Sequence, residues 1–475
     1  MKKIYLTITA GLMCALLHAQ TSQTTFLLEN YVYGYRFNPA YVPEKSFVAI
    51  PVIGNLNPAA RSQVGLSNLI FPTDDGLVTG LNPAISSEEF LGGMNKLNSA
   101  SVDLHENLIA FGFRGKHGGF TNVELNLRAN ITAALPYTMF AFLKDGDAAS
   151  YDMSPTYVGG TVFGELAVGY SRKLSEKFSF GARIKALVGM ADLHFDISKA
   201  DVSINGDAIK VNADAAAYGA CNFLRVATIP SQIRPGEVDV MDFDDFGFSA
   251  DDFTPSGYGA AVDLGLTYNL TRNLELSLSV NDLGLMRWQN NIVGRTDASV
   301  TYTGQRFFPE DENPDDSQAR NEYKAAVHTL ESLAEFQYDP EESVSQMKLM
   351  PFTANFGLKY RMPFYRNLTA GAMGTYKFAH KASWYDVRAG LAINPIEWFS
   401  LTGNVGMTTF GPAWGAGLSL SFVGINIFVA SDGYIGKIAK FKGERGPAVI
   451  YPVDKFGYDI NFGVNIIFGK RVRSF

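Results

Sequence analysis

The chain has little of what most enzymes and nucleic-acid binders need. Of 475 residues, two are cysteine, four tryptophan and six histidine. Cys14 falls within an apolar leader, so Cys221 is left with no partner in the same chain and no disulfide framework can form. There is no Gly-x-Ser-x-Gly elbow, no His-Glu-x-x-His, no Cys-x-x-Cys and no phosphate-cradling Gly-x-x-x-x-Gly-Lys. His105-Glu106 lacks a second histidine, and His117, His194, His328 and His380 fall mostly in turns and loops. No catalytic residue, metal ligand or cofactor is therefore expected. Asp242, Asp244, Asp245, Asp251 and Asp252 lack EF-hand spacing and read as a solvated loop. A basic surplus is also missing: 40 Lys and Arg stand against 47 Asp and Glu, a net charge of −7, which argues against a nucleic-acid partner. Beyond the first twenty residues no run of eighteen apolar side chains occurs, so no helix is expected to cross a membrane.

What is present points outward from the cell. Residues 1–19 read as a cleaved secretory signal, with Lys2 and Lys3 as the charged start, Ile4 to Leu17 as the apolar core and Leu17-His18-Ala19 as the cleavage site. Its loss takes the charge balance from −7 to −9. An exported chain with no helical span is periplasmic, secreted or a barrel. Mean hydropathy is +0.01, as expected where only alternate residues meet lipid. Gly 46, Phe 35 and Tyr 22 are high counts that favour strands, tight turns and aromatic girdles.

Alternation is the dominant pattern. In the last strand Tyr458, Ile460, Phe462, Val464, Ile466 and Phe468 share one face, against Asp459, Asn461, Gly463 and Asn465 on the other. Asn461, Gly463, Ile466 and Phe468 also fit a C-terminal assembly signal, which implies the barrel-assembly machinery as a partner. The same alternation recurs at Val162–Arg172, Lys177–Ala186, Val262–Tyr268 and Leu274–Asn281, and regularly from Phe352 onward. It puts Glu165, Arg183, Lys185, Asp263, Glu275, Lys359, Arg361, Asp386 and Arg388 on the inner face, where charge is tolerated; on the lipid face it is costly. Mixed signs suggest an ion-paired interior and not a selective ion pore. Trp288, Trp384, Trp398 and Trp414 lie near strand ends, where an aromatic belt is expected.

Short and long connections alternate along the chain. The short set is Gly115–Gly119, Lys173–Glu176, Leu270–Asn273, Arg361–Asn367, Asn394–Glu397 and Phe422–Gly424. Parity holds if Ala60–Ile70 is the first strand and Leu274–Tyr302 is one long bent strand, which gives fourteen strands within residues 59–475. A hairpin at Trp288 would give sixteen. Ala191–Ser256 and Gln305–Gln346 are the longest interruptions, the second with a helix through Tyr323, Val327, Leu330 and Ala334. Residues 20–58 carry Pro39, Pro43, Pro51 and Pro58, poorly suited to central strands, and read as a plug or cap, with a short strand at Phe47–Ile53; a plain periplasmic leader is the alternative.

The signal, Asn38-Pro39-Ala40, the inferred strand count, Asn281-Asp282-Leu283-Gly284 and the terminal strand together resemble the FadL-type outer-membrane barrel superfamily. That group includes transporters of long-chain fatty acids and aromatic hydrocarbons, and the PorV barrel of type IX secretion. The nearest resemblance is to a domain-of-unknown-function family of such barrels. It implies a closed antiparallel transmembrane barrel in the outer membrane of a Gram-negative-type bacterium, with Phe37, Asn38, Pro39 and Ala40 in an N-terminal plug. Two functions follow as expectations: passive transport of a hydrophobic small molecule, or docking of a secretion partner protein through the outer loops. A transported ligand would meet aromatic side chains of the plug and of Phe243, Phe246, Phe248 and Phe253, with Arg183 or Lys185 available for a carboxylate.

Overall fold

The computed structural model describes residues 22–73, 76–115, 118–145, 150–205, 208–231, 239–249, 252–303, 335–435, 438–441, 449–452 and 455–469. Its wall is β1 (Ser46–Ala49 continued by Leu56–Ser62), β2 (Leu97–Arg114), β3 (Phe120–Pro136), β4 (Tyr157–Lys173), β5 (Phe178–Asn205), β6 (Gly257–Asn269) and β7 (Leu274–Asn290). It continues through β8 (Val344–Leu349 and Phe352–Arg361), β9 (Leu368–Phe378), β10 (Trp384–Ile396), β11 (Phe399–Thr408), β12 (Gly411–Phe422), β13 (Ile425–Ile435) and β14 (Phe456–Phe468). Each strand pairs antiparallel with its chain neighbours, and β14 closes the ring against both β13 and β1. The count is the expected fourteen. Closure satisfies the backbone groups that an open edge would leave unpaired in lipid.

The period-two pattern decides which side chains face lipid. On β5, Phe180 and Ile184 point out, Ile184 with 68% of its surface exposed, while Arg183 and Lys185 are buried within. On β14, Phe462, Ile466 and Phe468 point out, and Asp459, Asn461, Asn465 and Ile467 are buried. A continuous apolar outer band around a polar interior is the signature of a membrane-crossing barrel. No described helix is long and apolar enough to cross a membrane. The tryptophans divide: Trp398 and Trp414 are exposed on the outer face, whereas Trp288 and Trp384 are buried.

Three expectations need correction. First, the wall starts at Ser46 and not at Ala60. β1 is broken between Ala49 and Leu56, and the break holds Pro51 and the left-handed Val52 (φ 69°). Pro58 is tolerated because a neighbour supplies the donor it lacks. The Asn57 side-chain amide (Nδ2) donates to the Ile460 carbonyl on β14 at 2.8 Å, where the β1–β14 ladder lapses. Second, residues 66–79 are a 3₁₀ turn (Leu66–Asn68) and a small hairpin (Ile70–Thr73 with Gly76–Thr79), not barrel wall. Third, much of Ala191–Ser256 is strand. β5 continues to Asn205 and pairs with Ala208–Ala220, which pairs in turn with Ile292–Thr303. The chain breaks at Asn291, so the second half of the expected bent strand belongs to this extension above the rim and adds nothing to the wall. The expected helix through Tyr323, Val327, Leu330 and Ala334 and the signal lie outside the described residues.

Residues 22–45 fold against the inner wall, with 3₁₀ turns at Gln23–Phe26 and Gly34–Arg36. Ser22 donates to Asp432 on β13, Tyr33 to Asn465 on β14, Tyr35 to Glu124 on β3, and Asn38 to carbonyls on β6 and β7. Partners on opposite sides of the ring place the segment across the lumen. Tyr31, Tyr33, Tyr35, Phe47, Phe120 and Phe428 form the aromatic core beside it; Tyr31 meets Phe428 edge-on at 4.8 Å.

Candidate functional site

The inner face of β3 to β7 carries one connected set of charges. On β3 the run Asn122-Val123-Glu124-Leu125-Asn126-Leu127-Arg128 alternates strictly, so four polar side chains enter the lumen in a column. Glu124 is buried and accepts from Tyr35 (2.7 Å), Arg36 Nε (2.9 Å) and Arg183 Nη2 (2.5 Å). Arg183 also reaches Asp263 at 3.1 Å, and Lys185 reaches Asp263 at 2.7 Å and Asp282 at 2.5 Å. Arg128 bridges Glu165 (2.8 Å) and Asp282 (2.7 Å). Arg36, Arg128, Arg183 and Lys185 thus balance Glu124, Glu165, Asp263 and Asp282. Buried ions each carry a desolvation penalty of several kcal/mol, which mutual pairing and neutral donors offset only if every member is satisfied.

Asp282 takes part because of a bulge. β6 and β7 shift register between Val262 and Leu264, so Asp263 faces the extra residue on β7. Asp282 sits there at φ 65°, a conformation aspartate tolerates better than most residues, and its amide donates to Asp263 at 2.7 Å. The bulge re-aims its carboxylate at Arg128 and Lys185.

The charges expected on the inner face do not form one site. Glu165, Arg183, Lys185 and Asp263 share the network above. Lys359 and Arg361 lie nearer the short-turn rim: the Lys359 ammonium stands 4.5 Å from the Phe26 ring centre and 4.3 Å from that of Tyr41, and Arg361 approaches Glu29 at 3.6 Å. Arg388 belongs to a third group, paired with Asp386 and Asp432 at 2.7 Å each. Arg36, Glu124, Arg128 and Asp282 were missed as site residues. The β3 alternation signals Glu124 and Arg128; Arg36 lies outside any strand, and the bulge hides Asp282 from a period-two reading.

Phe37, Asn38, Pro39 and Ala40 lie on the wall. The Asn38 amide donates to the Leu266 and Leu278 carbonyls at 3.0 and 3.1 Å, while its oxygen accepts from the Ala40 amide at 2.8 Å. Beneath them Gly181 and Gly265 are paired across β5 and β6. A Cβ on either would collide with Asn38 or Pro39, so glycine is what lets the segment approach the sheet.

The segment separates two cavities. One, of about 860 Å³ on the long-loop side, is lined by Arg128, Lys185, Phe163, Met286, Trp288 and Met350 among others. The other, of about 810 Å³ on the short-turn side, is lined by Phe26, Tyr41, Glu275, Lys359, Arg361 and Trp398 among others. The apolar wall of the first comes from barrel strands, where Phe163, Leu187, Met286, Trp288 and Met350 pack together. This corrects the expectation for two of the four outer-loop aromatics. Phe248 and Phe253 are 76% and 60% exposed and do not line this cavity, and the side chains of Phe243 and Phe246 lie outside the description.

The fold defines a closed fourteen-stranded transmembrane β-barrel of outer-membrane type, whose lumen holds its own N-terminal segment. The chain belongs to the family of unknown function DUF5723, whose model matches residues 39–432. No curated protein matches it. Among solved structures it is similar to the Pseudomonas putida toluene transporter TodX (9% identity, 96% of each chain, TM-score 0.39) and to a Pseudomonas aeruginosa FadL homologue (12% identity, 95% of this chain and 100% of that one, TM-score 0.42). It is also similar to the translocator domain of the Neisseria meningitidis autotransporter NalP (7% identity, 90% and 91%, TM-score 0.31). At such distances the functional reading rests on this chain's own geometry.

Proposed function

We propose that the protein is a passive channel for hydrophobic small molecules, with residues 22–45 as its plug. The observation that carries this reading is the divided lumen. A cavity of about 860 Å³ is in the range of small-molecule sites, and its wall sets Phe163, Met286, Trp288 and Met350 beside the charged floor. The floor cations are already paired, so they orient the plug more than they attract an anion. Deleting Thr24–Phe37 tests the reading. Uptake of a fluorescent hydrophobic probe into proteoliposomes rises while the barrel stays heat-modifiable. If uptake is unchanged and the purified barrel binds no fatty acid or hydrocarbon, the channel reading fails.

A second reading, docking of a secretion partner protein, draws on Phe248 and Phe253, two exposed aromatics on the outer extension. A protein that co-purifies from gentle detergent in place of lipid would favour it. Either function needs assembly, for which Asn461, Gly463, Ile466 and Phe468 serve as the terminal signal. Phe468→Asp places a charge on the lipid face of the closing strand and should leave the protein out of the outer-membrane fraction.

A further inference from the structure

Among the described residues, Phe37 is the one that lines both cavities. Its backbone and its ring are held very differently. The Phe37 carbonyl accepts from Ser279 Oγ (2.7 Å), Asn281 Nδ2 (3.0 Å) and Asn355 Nδ2 (3.1 Å), donors on two wall strands. The residues on either side are fastened too: the Arg36 carbonyl accepts from Asn281 at 2.9 Å, the Arg36 guanidinium pairs with Glu124, and Asn38 donates to two wall carbonyls. The ring packs in an apolar cluster. It sits 4.8 Å from the Phe26 ring, in a cluster with Leu27, Met373 and Ala392.

We infer that the Phe37 ring is the gate between the two cavities, and that a solute passes when the ring changes rotamer while the N-terminal segment stays seated. The inference rests on the channel reading and needs side-chain motion alone, with no displacement of the plug. Moving the backbone would break buried hydrogen bonds and an ion pair together, leaving charges unpaired in the lumen. Moving the ring exchanges dispersion contacts for others, and its neighbour Met373 is an unbranched side chain that adapts to a changed shape. Below the ring, Phe26, Tyr41 and the Lys359 ammonium form the next layer. A solute leaving the gate therefore meets the aromatic faces of Phe26 and Tyr41, with the Lys359 ammonium against both rings.

The test uses the full-length barrel in proteoliposomes, with a neutral fluorescent hydrophobic probe, and amide hydrogen exchange over residues 24–41 to report whether the segment stays seated. Phe37→Ala is expected to raise probe flux by about tenfold, towards that of the Thr24–Phe37 deletion, with exchange protection retained. Phe37→Trp, which adds bulk at the same point, is expected to lower it. If the deletion raises flux but Phe37→Ala does not, passage needs the whole segment to move; the gate inference falls and the channel reading stands. If Phe37→Ala raises flux but the segment amides lose protection, loosening explains the flux and the inference also falls. If the deletion itself leaves flux unchanged, the channel reading fails and the gate fails with it.

Discussion

The two halves of the inner wall hold the same N-terminal segment by different means. From β3 to β7 the lumen side is charged, and Glu124, Arg183 and Asp263 build a lattice that takes in Arg36. From β8 to β12 it is mostly small where it meets the segment's first turns: Asn355, Thr369, Gly371, Thr375, Ser400, Thr402, Gly415 and Gly417, with Lys348, Lys359, Arg361, Lys377, Asp386 and Arg388 as the charged exceptions. There Leu27 rests over Gly371 and Thr24 over Gly415, each so close that a Cβ would overlap it. Ion pairs and their hydrogen bonds are directional, so the charged half sets where the segment lies and how it is turned. Small side chains act only at contact, so the other half sets how near the segment comes. Orientation and depth are thus controlled on opposite sides of the ring.

Breaking the charged half should have the largest effect. Glu124→Ala leaves Arg36 and Arg183 buried without their shared carboxylate and should cost about 3–5 kcal/mol. The unfolding temperature of the heat-modifiable band should fall, and the amides near Tyr35–Ala40 should lose exchange protection. Little change in either would mean that the lattice does not hold the segment. Asp432→Asn comes next. It keeps the shape but removes the charge that accepts from Ser22 (2.6 Å), Thr24 (2.5 Å) and Arg388 (2.7 Å). A loss of about 1.5–3 kcal/mol is expected, confined in exchange measurements to Ser22–Phe26.

Gly371→Leu probes the small half directly. The added side chain collides with Leu27 and should cost about 1–3 kcal/mol. Here the first turn should lift while Tyr35–Ala40 keeps its protection; loss at both ends would show that depth and orientation are not separate. The smallest change sharpens the comparison from the charged side. Tyr35→Phe removes one 2.7 Å hydrogen bond to Glu124, which keeps Arg36 and Arg183. A loss of about 0.5–1.5 kcal/mol, read as a small shift in unfolding temperature, is expected.

Particular residues show how far one dimension of chain could be read. The alternation at Phe178–Ala186 and Tyr458–Phe468 assigned lipid and lumen faces correctly, because a side chain's face in a strand depends only on its parity. The short turns showed where the chain reverses, which gave fourteen strands with sixteen as the alternative, and the structure has fourteen. β1 was misplaced because Pro51 and Pro58 are local evidence against a strand. What permits Pro58 is non-local: the Asn57 side-chain amide bonded to the Ile460 carbonyl, some four hundred residues away in sequence. Asp282 was not recognised because a bulge breaks the parity on which the reading depended.

The sequence by itself determined a closed membrane barrel, which strand faces lipid, and that its interior is charged with both signs. Those properties follow from local periodicity and from the cost of charge in hydrocarbon. Only the tertiary structure decided which charges meet, that Arg36 completes the lattice, and that Phe37 lies between two cavities. Those are distances between residues far apart in the chain, and periodicity along one strand carries no information about what stands across the lumen.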